Sequence, residues 1–87
     1  MFRLHGEHVR AARALLRWGQ KKLADEASKI APVSVETIKA WEATNGAIRA
    51  TVDRMEAVAH TLEAAGVELL NHGSPGARLR PPSSDEG

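Results

Sequence analysis

Hydrophobic residues recur at the spacing of an α-helix in four separate stretches of the chain. The pattern predicts four helices, over about residues 7–18, 20–28, 35–43 and 52–65. The last stretch is the most regular, because Val52, Met55, Ala59 and Leu62 all lie on one helical face. We therefore expect a domain whose core is assembled from the apolar faces of short helices.

Capping residues indicate where these helices begin. Gly19 breaks the first helix and stands at the N-cap position of the second, and Ser34 and Thr51 are N-caps for the third and fourth. Val33 and Ile38 flank the Ser34 cap at the spacing of a hydrophobic staple. The boundaries of the second, third and fourth helices are thus predicted from local chemistry.

Beyond Gly66 the pattern changes from helix to extended segments. Residues 67–70 and 77–80 flank a turn-rich loop, NHGSPG, and this order predicts a β-hairpin. A lone two-stranded hairpin is marginally stable in water, so it either packs on its own helices or pairs with another chain, and both arrangements remain open. The expected fold class is an all-α, four- to five-helix domain over residues 1–66, with a short hairpin over 67–80 that can serve for dimerisation and a disordered tail over 81–87.

Composition narrows the classes of protein to which the chain can belong. Its 87 residues suit one domain, and because only 3% are aromatic while 43% are hydrophobic, the core is expected to be mostly aliphatic. There is no cysteine, which excludes disulfides and thiolate metal sites. Neither a membrane-spanning apolar run nor a signal-peptide pattern is present, so we expect a cytoplasmic protein.

Charge is unevenly distributed, although the net charge is only +1. Residues 1–22 contain six Lys or Arg and a single Glu, whereas the rest of the chain is mildly acidic. A basic N-terminal third is an electrostatic footprint typical of nucleic-acid binding. Ordinary solvated charges on helix faces would give the same composition, so the footprint alone does not decide between the two interpretations.

The second and third helices, joined by a turn, have the order of a helix-turn-helix. Three motifs accompany them: Gln-x-x-Leu-Ala at 20–24, Ser-x-x-Thr-Ile at 34–38, and Glu42 directly after the core position Trp41. With these motifs the chain resembles, over about residues 9–80, the phage-repressor type of helix-turn-helix regulator, the XRE family. It departs from that family in a long turn at residues 28–33 and in a third helix poor in Gln, Asn and Arg. The resemblance implies a homodimeric transcriptional regulator that binds double-stranded DNA and needs no cofactor.

The resemblance also implies roles for individual residues. The third helix would enter the major groove and read base edges, with base-reading positions at Ser34, Val35, Glu36, Thr37, Lys39 and Ala40. Phosphate contacts would come from the start of the second helix and from the loop after the third, through Arg17, Gln20, Lys21, Lys22, Asn45 and Arg49. Arg13 and Glu42 would form a structural ion pair. For Glu36 an alternative stays open, because it also stabilises the start of its helix without touching DNA.

Other functions have less support in the residues. The histidines His5, His8, His60 and His72 lack a further ligand at a diagnostic spacing, so no metal site is expected. No nucleophile elbow or glycine-rich phosphate loop is present, and an enzyme is not expected. The main alternative is a protein-binding module, an antitoxin or a co-regulator, built on the same fold.

Overall fold

A computed structural model describes residues 3–71 and 74–81, and within them four helices precede a two-stranded antiparallel sheet. The elements are α1 (Gly6–Leu16), α2 (Gln20–Ala27), α3 (Val35–Glu42), α4 (Val52–Ala64), β1 (Val67–Asn71) and β2 (Pro75–Leu79). The described residues contain no fifth helix. The predicted disordered tail, residues 81–87, lies outside the described residues apart from Pro81.

The expectation of an all-α fold is wrong. The hairpin packs on α1 and α4, so the protein is a small α+β domain in which the sheet is part of the packed structure. The physical reason is that the hairpin covers faces of α1 and α4. The chain reverses direction at Gly66 (φ 106°), and the two strands then pack against these helices. Val67 is consequently buried in the core, with Leu69 and Ala77 packed against it.

The strands are also placed differently from the prediction. Val67 pairs with Leu79 at one end of the hairpin and Asn71 pairs with Pro75 at the other. The strands therefore extend into the segment predicted as loop, and β2 ends before Arg80. Because β1 pairs with β2 and the hairpin packs on its own helices, the hairpin forms within one chain.

The predicted caps of α3 and α4 are confirmed. Ser34 Oγ accepts a hydrogen bond from the Thr37 N–H at 3.1 Å, and Thr51 Oγ1 accepts one from the Arg54 N–H at 3.4 Å. Gly19 occupies the N-cap position of α2, as predicted. The Ser34 and Thr51 caps follow from short-range chemistry, since each side chain satisfies a donor only three residues away.

The end of α1 differs from the prediction. Instead of continuing to Trp18, the helix ends at Leu16, and Arg17 adopts a left-handed conformation with φ of 58°. The N–H groups of Arg17 and Trp18 donate to the carbonyls of Ala14 and Arg13, which is the Schellman pattern of a helix end. Glycine is usual at this position, because a Cβ costs roughly 1–2 kcal/mol in the left-handed region. The backbone conformation at this position therefore favours glycine over the arginine that is present.

The core is built from aliphatic side chains of every helix and of the first strand. Val9, Leu23, Ile38 and Leu62 are fully buried, one from each helix in order along the chain. Trp41 is only 6% exposed and is the largest residue among them. The aliphatic core inferred from composition is therefore confirmed for the described residues.

A buried histidine joins the start of α1 to the hairpin. His8 Nε2 lies 2.7 Å from the carbonyl oxygen of Leu70, and its Nδ1 lies 2.9 Å from the backbone nitrogen of His5. Because the His5 N–H is the donor, Nδ1 accepts, and Nε2 carries the hydrogen that is donated to Leu70. Burial lowers the pKa of His8 below its ordinary value of 6.5, although the bond to Leu70 acts in the opposite direction.

We expect the free energy of unfolding to fall as the pH is lowered below about 6.5. The folded protein takes up the His8 proton at a lower pH than the unfolded chain does, so acidification below the unfolded-state pKa favours unfolding. The slope cannot exceed about 1.4 kcal/mol per pH unit, the value for one proton. Urea unfolding between about pH 5 and 7.5 measures this slope.

Two variants assign the slope to His8. It should be lost in His8→Gln and retained in His60→Gln, where the histidine is exposed. Equal slopes in the wild type and in His8→Gln would contradict the assignment.

Candidate nucleic-acid interface

The helix α2 begins without a side-chain acceptor for its first N–H groups. Its N-cap is Gly19, and the first N–H bonded along the helix is that of Leu23, which donates to the Gly19 carbonyl at 3.2 Å. The N–H groups of residues 20–22 have no acceptor in the described part of the chain. Free N–H groups at the positive end of a helix dipole favour an anion.

Three positively charged residues lie next to this helix start in the chain. Arg17 is exposed and forms no ion pair with any described residue. Lys21 and Lys22 pair with Asp25 and Glu26, at 3.0 and 3.4 Å. Exposed pairs of this kind contribute about 1 kcal/mol at most, so a phosphate group can replace the carboxylate. The start of α2 therefore offers both backbone donors and cations that are available to an anion.

Glu42 connects α1, α2 and α3 at one point. Arg13 donates to both of its carboxylate oxygens at 2.7 and 2.8 Å, and the Gln20 amide donates to one of them at 3.1 Å. Arg10 donates to the backbone carbonyl of Glu42. The Glu42 side chain is only 7% exposed. These contacts hold the start of α2 beside the last turn of α3.

The Glu42 carboxyl group is ionised at neutral pH. Burial alone would raise the pKa of its carboxyl group, but hydrogen bonds from Arg13 and Gln20 and the charges of Arg13 and Arg10 lower the pKa below its ordinary value. The partner Arg13 also donates to the Trp18 carbonyl at 2.9 Å. The pair to which the resemblance gives a structural role is thus in contact, and Arg13 is directed into the protein.

Two residues expected to contact phosphate already form hydrogen bonds with other residues of the protein. Gln20 gives an amide hydrogen to Glu42, and Asn45 Oδ1 accepts a hydrogen bond from Arg10 at 2.9 Å. A side-chain amide carries two N–H bonds, so Gln20 retains one donor and Asn45 retains both. Arg49 is exposed and has no ion pair among the described residues.

The six positions expected to read bases are not equally available. Ser34, Glu36, Lys39 and Ala40 are exposed, whereas Val35 and Thr37 are half-buried. The hydroxyl groups of Ser34 and Thr37 are hydrogen-bonded to each other at 3.0 Å, in addition to the Ser34 cap. Glu36 and Lys39 make no side-chain hydrogen bond within the described residues. They are therefore the charged side chains of this face that no internal hydrogen bond occupies.

The long turn before α3 is a surface loop closed by one serine. Ser28 Oγ donates to the Val33 carbonyl at 2.9 Å and accepts from the Val33 N–H at 3.1 Å. Val33 and Ile38, the residues of the predicted staple, are both buried in the core, while Ile30 in the loop is 54% exposed. The extra residues are accommodated at the surface, and α3 remains packed against α2.

No family model matches the chain, and no curated protein is significantly similar to it in sequence. The helix-turn-helix resemblance therefore rests on the motifs at 20–24 and 34–38 and on Glu42. None of the described helices is both long enough and apolar enough to cross a membrane.

Sequence spacing did not distinguish the roles of the three arginines in α1 and at its end. Arg10, Arg13 and Arg17 follow one another at helical spacing and look equivalent in the sequence. In the structure Arg10 and Arg13 are used to hold Glu42, and Arg17 alone of the three projects from a left-handed residue into solvent. The family resemblance singled out Arg13 as the partner of Glu42, but no signal in the sequence singled out Arg10.

Proposed function

We propose that the chain is a sequence-specific DNA-binding transcriptional regulator of the cytoplasm, with α3 in the major groove. The observation that carries this proposal is the uncapped start of α2, where three N–H groups lack an acceptor and the exposed cations Arg17, Lys21 and Lys22 are close in the chain. A DNA phosphate supplies the acceptor that these groups lack. Contacts of this kind position a protein on the duplex without reading its sequence.

Sequence discrimination would come from α3. The Glu42 contacts keep α3 in a defined position beside the phosphate-binding start of α2, so a bound phosphate sets the register of α3 along the groove. Lys39 is suited to the acceptors of guanine, and Glu36 to the amino group of cytosine. Glu36 also repels nearby phosphates, so its contact with a base would penalise incorrect sites as well as reward the correct one.

We further propose that the regulator acts as a homodimer. In the described residues each strand of the hairpin pairs only with the other, so each has one edge without a strand partner, and β2 is the more exposed of the two strands. Leu79, near the end of β2, is 50% exposed. Edge pairing between two copies gives the two-fold symmetry that a palindromic site requires, with α3 helices about 34 Å apart.

Arg17→Gly is expected to weaken DNA binding without lowering stability. Removing a phosphate contact should weaken binding to every sequence and reduce the slope of log K against log salt by about 1 per chain. Glycine suits the left-handed backbone at this position, so the melting temperature should stay the same or rise. Fluorescence anisotropy over a salt series and thermal unfolding measure the two effects.

The matched control is Arg3→Ala, which removes the same charge from the exposed segment before α1, outside the proposed DNA contacts and the hairpin. It should leave the salt slope unchanged. An unchanged slope in Arg17→Gly would remove Arg17 from the DNA contact surface. If the DNA affinity of the wild type does not change with salt, the protein makes no phosphate contacts. That result would favour a protein-binding role over DNA binding.

A further inference from the structure

A groove with an apolar floor lies on the side of α4 that borders the N-terminal segment and the loop before α3. Its floor includes Leu4, Ile48 and Met55, and its two most exposed apolar residues are Ile30 (54%) and Val52 (48%). The groove has a volume of about 1030 Å³, at the upper end of the range for small-molecule pockets and open to solvent. It is therefore suited to several side chains of a partner and not to one small ligand.

The rim of this groove is acidic. Asp53, Glu56 and Glu63 lie along α4 at intervals of three and seven residues, and a helix rises about 1.5 Å per residue, so they span roughly 15 Å. None of the three carboxylates forms an ion pair within the described residues. Arg3 and His60 are the other ionisable groups that line the groove. The carboxylates are thus a row of unneutralised charge beside exposed apolar surface.

The charge of the rim restricts what can cover the groove. DNA is disfavoured because its phosphates would face three carboxylates. A symmetric contact with a second copy is also disfavoured, because the lining offers only Arg3 and His60 against three carboxylates, so two copies of it would leave an excess of negative charge in the contact. A complementary occupant must offer apolar side chains for the floor and cations for the rim.

We propose that this groove binds a short amphipathic helix of a partner protein, with an apolar stripe against Ile30, Val52 and Met55 and flanking Lys or Arg residues against Asp53, Glu56 and Glu63. Helices that place residues i, i+3, i+4 and i+7 in an apolar groove are a common mode of recognition. The groove shares no residue with the proposed DNA contacts. It gives the protein a second surface, distinct in charge from the first.

The test uses a fluorescent 14-residue probe peptide of leucine and lysine, with the leucines at helical spacing. Its binding to the full chain is measured by anisotropy at low salt. Binding should be detectable at peptide concentrations below about 1 mM. A scrambled peptide of the same composition, or one with glutamate in place of lysine, should bind at least about tenfold more weakly.

Two variants locate the site. Glu56→Lys and Ile30→Ser should each weaken the helical peptide by about tenfold, because one reverses a rim charge and the other removes an exposed apolar contact. The matched controls are Glu36→Lys, at an exposed carboxylate on α3, and Leu79→Ser, at an equally exposed leucine on the hairpin. Both controls should keep the affinity within about twofold.

Four results would overturn the proposal. They are failure of the helical peptide to bind, equal binding of the scrambled peptide, and unchanged affinity in both groove variants. The fourth is occupation by a second copy, which a dimer in sedimentation that Ile30→Ser abolishes would show.

Discussion

Replacing Gly6 by alanine is expected to destabilise the protein by at least about 3 kcal/mol, the upper part of the range for overpacking. A Cβ at Gly6 would overlap the backbone carbonyl oxygens of Trp41 and Thr44. These atoms belong to the end of α3 and the turn after it, so no side-chain rotation relieves the overlap. The Gly6 N–H also donates to the Gly46 carbonyl at 3.1 Å, which fixes the backbone at this approach.

A domain of this size has a total stability on the order of 5–10 kcal/mol, so the loss should be plain in urea unfolding followed by circular dichroism. The control is Gly76→Ala, where no atom lies within 4 Å of an added Cβ and φ is not positive. That variant should be as stable as the wild type or more so. Near-wild-type unfolding of Gly6→Ala would mean that α1 and α3 do not approach as closely as described.

Replacing Glu42 by alanine is expected to cost about 3 kcal/mol of folding stability, near the lower end of the range for breaking a buried ion pair. The loss leaves the Arg13 guanidinium without its carboxylate and releases Gln20 from α3. The cost should not be larger, because Arg13 is 25% exposed and regains some hydration. The DNA affinity of the folded fraction should fall as well, since α2 and α3 are no longer held in register.

Glu42→Gln keeps the size of the side chain and one hydrogen-bond acceptor, so it should lose less stability than alanine. It should also change the response to acid. The lowered pKa of Glu42 contributes stability above about pH 4.5 that is lost as the pH falls through the folded-state pKa. This loss should be absent in Glu42→Gln. As a control, Glu36→Ala, at an exposed carboxylate, should stay within about 0.5 kcal/mol of wild type. A Glu42→Ala protein as stable as that control would contradict the structural role.

The helices could be predicted from the sequence because their signals are local. Periodic apolar residues located all four, and the caps Ser34 and Thr51 each satisfy a donor in the same helix. The end of α1 could not be located in this way. Its left-handed residue is Arg17, and the glycine two positions later, which looks like the natural helix breaker, is the N-cap of the next helix.

Contacts between distant segments could not be predicted. His8 gave no signal that it would be buried and bonded to Leu70, 62 positions away, and Gly6 gave none that it would lie against the end of α3. For the same reason the fold class was wrong, since whether a hairpin packs into a core depends on surfaces far apart in the chain. Residues such as Lys39 could be selected from the sequence as candidates for base contact. That Lys39 forms no internal hydrogen bond could be seen only in the structure.

Selection of bound fragments from a random pool of double-stranded DNA, followed by a salt titration of the selected site, tests DNA binding most directly. The account predicts an enriched sequence of two related half-sites whose centres are about 34 Å apart, one helical turn. It also predicts that log K falls linearly with log salt, with a slope of about −0.9 for each phosphate contacted. Absence of both enrichment and binding at low salt would contradict the account.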